Sequence, residues 1–278
     1  MAALLVVSAL VAVGCGSSGK SASSSSSAPA TTTASSSTPS TQATIFSGEL
    51  RSLPRVPAPT APAPSPVPTA TTVDRAFLQT AFNDAQRLWA GEFSAAGRPY
   101  LPARLVMFVS SVHSACGIQE NVGPFYCPAD RGIYLDLGFF DLLARQAGLG
   151  GFAQAYVIGH EFGHHIQHLL GIDRQVAAVN HANPSGENAL SVRVELQADC
   201  LAGVWAHSVY SRGELTTGDL EEKLRAAALI GDDFQARAAS RPVDPGLFTH
   251  GSSAQRQHWL RTGFESGEPA ACDTFSAG

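Results

Sequence analysis

Apolar residues in the chain switch between two periods. From Val73 to Phe93 they recur at helical spacing (Phe77, Ala81, Phe82, Ala85, Leu88 and Trp89), which predicts an amphipathic helix. Arg104 to Ser110 is rich in Leu, Val, Met and Phe and reads as a buried strand, and Gly132 to Leu137 alternates like a strand with one wet face. Phe139 to Ala147 is a short helix stopped at Gly148. Gly150-Gly151 breaks the chain before a long apolar helix from Phe152 to Leu170, closed by Gly171. After a polar loop carrying Asn183-Pro184-Ser185-Gly186, a second long helix is predicted at about Asn188 to Tyr210, and another at about Asp219 to Ala239. The chain then turns at Pro242 to Pro245. Ser252 or Ser253 is placed to cap a last helix from Ala254 to Phe264. Two strands and several helices without βαβ alternation predict an α+β domain.

Upstream of this region the periodicity disappears. Of the 57 residues from 16 to 72, 43 are Ser, Thr, Pro or Ala, too little apolar surface to offset chain entropy, so the segment is expected to be a disordered tether. Its Ser/Thr-rich first part reads as flexible, and Pro54 to Pro68 as stiffer and extended. The apolar run Leu4 to Gly14 is about half the ~20 residues needed to span a bilayer and reads as the core of a secretory signal, residues 1–14. It ends in Ala12-Val13-Gly14-Cys15, which resembles a bacterial lipoprotein signal. That resemblance implies lipidation at Cys15 and an exported, membrane-anchored protein facing outside the cytoplasm. Without lipidation the same signal implies secretion. The folded domain is thus expected to span residues 73–278.

Charge narrows the partners. Setting aside Lys20, Arg51, Arg55 and Glu49 leaves the folded region with 15 Lys+Arg against 22 Asp+Glu, a net charge of -7 with no basic cluster. A nucleic-acid surface built on phosphate contacts is excluded on these grounds. Four cysteines remain beyond Cys15, an even number that allows three pairings in an exported chain. Cys116 and Cys127 bracket a Gly/Pro-containing loop, which favours a local disulfide and leaves Cys200 to Cys272. A Cys-metal site is the rival reading, and it lacks a CxxC pair.

The chemistry lies on the helix Phe152 to Leu170, which carries His160-Glu161-Phe162-Gly163-His164, an HExxH pattern. Residues four apart lie on one helical face, so both imidazoles can reach one ion. Glu161, about 100° around the helix from His160, sits beside that ion as a candidate general base. His168 shares the face but is about 12 Å along the helix from His160, too far to share the ion, so His165 and His168 read as solvent-facing or structural. His113, His181, His207 and His258 have no ligand spacing.

A third ligand is expected from the next helix, where Glu195 and Asp199 are four apart amid Val192, Val194, Leu196, Ala198, Leu201 and Val204. Glu195 is read as the ligand and Asp199 as the acceptor behind a histidine ring, with the reverse assignment left open. Two antiparallel helices, each offering one polar stripe, would form the site.

Four motifs along the chain resemble the bacterial putative neutral zinc metallopeptidase family. They are His160 to Gln167, Glu195 to Cys200 with Ala202-Gly203 and Trp205, Thr249-His250-Gly251-Ser252-Ser253-Ala254-Gln255-Arg256, and Gly123 to Pro128 followed by Tyr134-Leu135-Asp136. The resemblance covers nearly all of 73–278. It implies a mainly helical, zincin-like peptidase domain with a small sheet, using Zn2+ and a downstream Glu as third ligand. A peptidase of this kind holds zinc through His160, His164 and Glu195, with Glu161 as base toward water and then acid toward the leaving amine. His250, in a turn before a helix, is the candidate second donor to the oxyanion. In zincins an extended peptide or protein substrate pairs with a sheet edge, and Gly132 to Leu137 is the strand expected to receive it. Two other functions fit the same residues: a non-catalytic metal-containing surface lipoprotein that binds a partner, and a metal amidase acting on cell-wall peptides.

Overall fold

A computed structural model describes residues 48–57, 73–120, 122–147, 151–212 and 217–276. The signal and Cys15 lie outside the described residues, as does most of the tether. Eight α-helices and five strands are assigned among the described residues. Helix α1 (Arg75–Ala95) begins at Asp74, whose carboxylate accepts from the Ala76 and Phe77 amides and so satisfies two donors of the first turn. Strand β1 (Arg104–Phe108) is followed by the hairpin β2 (Ser111–Ser114) and β3 (Gly117–Glu120), then β4 (Phe125–Cys127) and β5 (Gly132–Asp136). Helix α2 (Leu137–Ala147) leads into α3 (Gly151–Leu170), α4 (Ile172–Ala182) and α5 (Glu187–Ser211). Helices α6 (Thr217–Leu229), α7 (Asp232–Ala238) and α8 (Ser253–Ser266) complete the chain order. The arrangement is α+β, mostly helical, as the pattern predicts. No helix among the described residues is long and apolar enough to cross a membrane.

The sheet differs from its expectation in a way that matters for the site. β5 pairs in parallel with β1 and antiparallel with β4, giving the order β1-β5-β4. Gly132 to Asp136 is therefore the interior strand, fully buried, and cannot be the free edge expected to receive a substrate. β1 and β4 are the edges. The expected loop between the two predicted strands instead holds β2, β3 and β4, too short and too weakly alternating to be seen as pattern. A disulfide between Cys116 and Cys127 ties the β2–β3 hairpin to β4.

Two helices were misplaced by the pattern. The expected polar loop after Gly171 contains α4, whose buried Ile172 and Val176 and inward-packed Val179 follow an i, i+4, i+7 stripe. The helix expected at 219–239 is two, broken at Gly231. There a Cβ would meet the Ser253 backbone nitrogen at 2.4 Å, so the chain must turn where only glycine fits.

The domain boundary also moves. Residues 48–57 fall inside the expected tether, yet Leu50, Leu53 and Val56 are 0%, 4% and 2% exposed and belong to the main core. Three apolar residues spaced by three are enough to anchor a short strap whose other residues are charged, Gly, Ser or Pro. The Val56 amide donates to the Gly267 carbonyl at 2.9 Å, and Arg98 pairs with Glu49.

α3 and α5 form the centre of the molecule and run antiparallel. A Cβ on Gly163 would lie 2.6 Å from the Ala198 Cα, so glycine at this position lets the two backbones touch. α8 lies equally close on the other side of α5, because a Cβ on Gly263 would overlap the Cys200 carbonyl oxygen at 1.9 Å. The Cys200–Cys272 disulfide closes that side.

Candidate metal centre

The close approach at Gly163 brings the polar stripes of α3 and α5 together. His160 Nε2 lies 3.1 Å from Glu195 Oε2 and 3.2 Å from His164 Nε2, and His164 Nε2 lies 3.5 Å from Glu195 Oε1. Among the described residues these three form a group whose ligand atoms all fall within 4.8 Å of one another. Asp199 is not in the group. Its Oδ1 is 2.8 Å from His160 Nδ1, on the far side of the ring, so the reverse assignment with Asp199 facing the ion does not fit the geometry.

The hydrogen bonds decide where the imidazole protons sit. His160 Nδ1 faces the Asp199 carboxylate and His164 Nδ1 faces Gln167 Oε1 at 2.9 Å, both acceptors. Each ring then turns its Nε2 toward the other and toward the Glu195 carboxylate. Two imidazole nitrogens and a carboxylate converging on one point are a donor set that fits a cation of the zinc type.

The electrostatics agree. Burial disfavours the charged form of His160, but the hydrogen bond and charge of Asp199, followed by those of Glu195, outweigh it and push the ring up to about 10. Without an ion the site draws a proton instead, so it favours positive charge. Burial opposes ionisation of Glu195 as well, yet the His164, His160 and His250 charges hold its carboxyl well below the usual range. His164 is lowered, chiefly by burial. Glu161 is 5% exposed beside these groups, and burial with the nearby Glu195 charge pushes it up to about 7.

Behind His160 the Asp199 carboxylate is held by Arg256 and Tyr156, two residues that the sequence reading does not single out. Arg256 of α8, 1% exposed, donates from Nε to Asp199 Oδ2 and from its terminal nitrogen to Asp199 Oδ1, both at 2.9 Å. Tyr156 donates to Asp199 Oδ1 at 2.5 Å and accepts from Arg256 at 3.0 Å. Burial raises the Asp199 carboxyl, but the Arg256 charge and the His160 hydrogen bond more than reverse this, so it stays ionised. Tyr156 lies four residues before His160, on the same helical face, and that spacing was the available signal. Arg256 had none beyond its place in the motif that runs from Thr249 to Arg256.

His250 stands in the turn before α8, at the site's edge, and its charge is felt by Glu195. Asp232 holds that turn: Oδ2 accepts from the Thr249, His250 and Gly251 amides, and Oδ1 lies 3.2 Å from His250 Nδ1. Ser252 caps α8 through a capping box with Gln255. His165 is fully buried, with Nδ1 3.0 Å from the Tyr126 hydroxyl, and His168 bonds Asp173 at 2.6 Å, so both are structural. His113, His181, His207 and His258 stand outside the group.

Comparison with known proteins places this geometry. The family profile described as putative neutral zinc metallopeptidase matches residues 53–275. YpfJ of Escherichia coli K12, described as an uncharacterized protein, is 49% identical over 202 residues, 72% of this chain and 70% of its own length. Rv2575 of Mycobacterium tuberculosis and Mb2605 of Mycobacterium bovis, described in the same way, are each 40% identical over 209 residues, 70% of this chain and 68% of theirs. No solved structure matches the chain. A profile that runs from within the strap through both long helices to the C-terminal segment makes the chain a member of the putative neutral zinc metallopeptidase family.

Proposed function

We propose that the chain is a zinc peptidase that hydrolyses peptide bonds with His160, His164 and Glu195 as metal ligands and Glu161 as general base. The observation that carries the reading is the convergence of the His160 and His164 Nε2 atoms and the Glu195 carboxylate on a single point, with Glu161 buried next to it. Bound zinc supplies Lewis acidity, polarising a carbonyl and lowering the pKa of water toward about 7. Glu161 takes the proton from the attacking water and returns it to the leaving amine. Asp199, kept ionised by Arg256, holds the His160 proton on Nδ1. His250, held by Asp232 through Nδ1, offers its other nitrogen to the oxyanion.

The Cys116–Cys127 and Cys200–Cys272 disulfides support a location outside the cytoplasm. Cys15 is proposed as the lipid attachment that holds the domain at the membrane.

The test is cleavage of a diverse peptide library by the zinc-loaded protein beside Glu161→Gln. Cleavage by the wild type alone supports the reading. Zinc binding by both with cleavage by neither refutes it.

A further inference from the structure

The groups that orient His160 are charged and easy to see, whereas His164 is oriented by a neutral chain. His164 Nδ1 lies 2.9 Å from Gln167 Oε1. The other end of that amide, Nε2, donates to the Val194 carbonyl at 2.8 Å and to Gln197 Oε1 at 3.0 Å. Gln197 Nε2 in turn donates to the Cys272 carbonyl at 3.1 Å. Both glutamines are buried, at 2% and 0% exposure, so water does not compete for these bonds.

The direction of the chain follows from its last member. A carbonyl oxygen can only accept, so Gln197 must turn its NH2 toward Cys272 and its oxygen toward Gln167. Gln167, facing two acceptors, must turn its NH2 toward them and its oxygen toward His164. His164 must then carry its proton on Nδ1, leaving the Nε2 lone pair aimed at His160 and Glu195. Neither amide can flip without setting two like groups against each other in a buried site.

Cys272 is covalently bound to Cys200, which lies on the same helix as Glu195 and Gln197. The terminal acceptor is thereby locked to the helix that carries the third ligand. Gln197 is two residues from Glu195, so one rigid stretch of α5 places both the ligand and the relay that orients its neighbour.

We propose that Gln167 and Gln197 are positioning residues that set the tautomer of His164, and that the Cys200–Cys272 disulfide acts on metal affinity through them. The inference about affinity rests on the metal reading given above; the inference about the tautomer does not.

The experiment uses the whole protein with 15N-labelled histidine and zinc alone as ligand. In the metal-free wild type, two-bond 15N–1H spectra should show His164 protonated on Nδ1, and Gln167→Met should show both tautomers. Zinc affinity, measured by chelator competition, should fall about 10- to 100-fold in Gln167→Met. Gln197→Met should fall in the same direction and serves if Gln167→Met does not fold. The Cys200→Ser, Cys272→Ser pair should weaken zinc binding in the wild-type background and add no further loss to Gln167→Met. The proposal is overturned by an Nε2-protonated His164 in the wild type, by unchanged zinc affinity in both glutamine variants, or by losses that multiply in the combined variant. A wild type that binds no zinc sinks the metal reading, while the tautomer spectra still decide the relay.

Discussion

Arg256→Met removes a buried guanidinium while keeping an unbranched side chain of similar length. Arg256 forms two 2.9 Å bonds to Asp199, and the two side chains are 1% and 0% exposed, so the carboxylate left behind has no water to turn to. Breaking a buried pair by removing one partner costs about 3–5 kcal/mol, most of it the desolvation of the charge that stays. In a domain of roughly 200 residues each kcal/mol shifts Tm by about 2–4 °C, so the variant should melt roughly 6–20 °C below the wild type. The comparison belongs in chelator, because a ligand that binds only the folded state adds stability of its own and would hide the loss. Urea unfolding followed by circular dichroism gives the free energy directly. Arg256→Lys keeps the charge but cannot bridge both carboxylate oxygens in the same fork, and should fall between the two. A loss within about 1 kcal/mol in Arg256→Met would mean that Tyr156 and His160 alone satisfy Asp199, and the account of the network would be wrong.

Three further outcomes follow from other parts of the molecule. Leu50→Ala should lower the urea midpoint by the equivalent of about 2–5 kcal/mol, as expected for a core leucine; a surface-like change below about 0.5 kcal/mol would return residues 48–57 to the tether. Gly163→Ala should destabilise by about 1–3 kcal/mol and weaken zinc binding, since the new Cβ would meet the Ala198 backbone and push Glu195 away from the histidines. The Asp232 carboxyl is disfavoured by burial but held below its ordinary value of 3.8 by the His250 bonds and the Thr249 amide. A depressed folded value contributes stability above the ordinary one and loses it as pH falls through the depressed one, so amide protection of Gly251 should hold at neutral pH and vanish in acid. Protection in Asp232→Asn equal to wild type at neutral pH would refute that account.

Much of the site was legible because its residues obey helical spacing. His160 with His164, and Glu195 with Asp199, are each four apart on apolar helices, and this alone predicts two facing stripes. Glu195 is the ligand in the sequence reading too, but spacing leaves the reverse assignment open, and the contact of Asp199 with His160 Nδ1 is what separates the two carboxylates. Both disulfides followed from loop length and elimination. What could not be read depended on contacts between residues distant in sequence. The Asp199–Arg256 pair spans 57 positions, and β5 became interior only because a three-residue strand folded back on it. The strap at 48–57 was hidden by composition, where three apolar residues were averaged into a Ser/Pro-rich background. Helix α4 carries a readable stripe, but the strong turn signal at Asn183-Pro184 just after it masks the stripe in the sequence.

The docked strap also has a mechanical meaning. Tension on the chain upstream of residue 48 enters the domain beside the Glu49–Arg98 pair, and it meets Leu50, Leu53 and Val56 one after another. Loading from that end peels the strap residue by residue instead of shearing it whole. Ser211 Oγ donates to the carbonyl of Pro57, the last described residue of the strap, so the strap also grips α5. That grip is 16 residues along the helix from Glu195, about 24 Å at 1.5 Å per residue. A pull on the N-terminal side is therefore spent in unpeeling the strap before it can strain the helices that carry His160, His164 and Glu195.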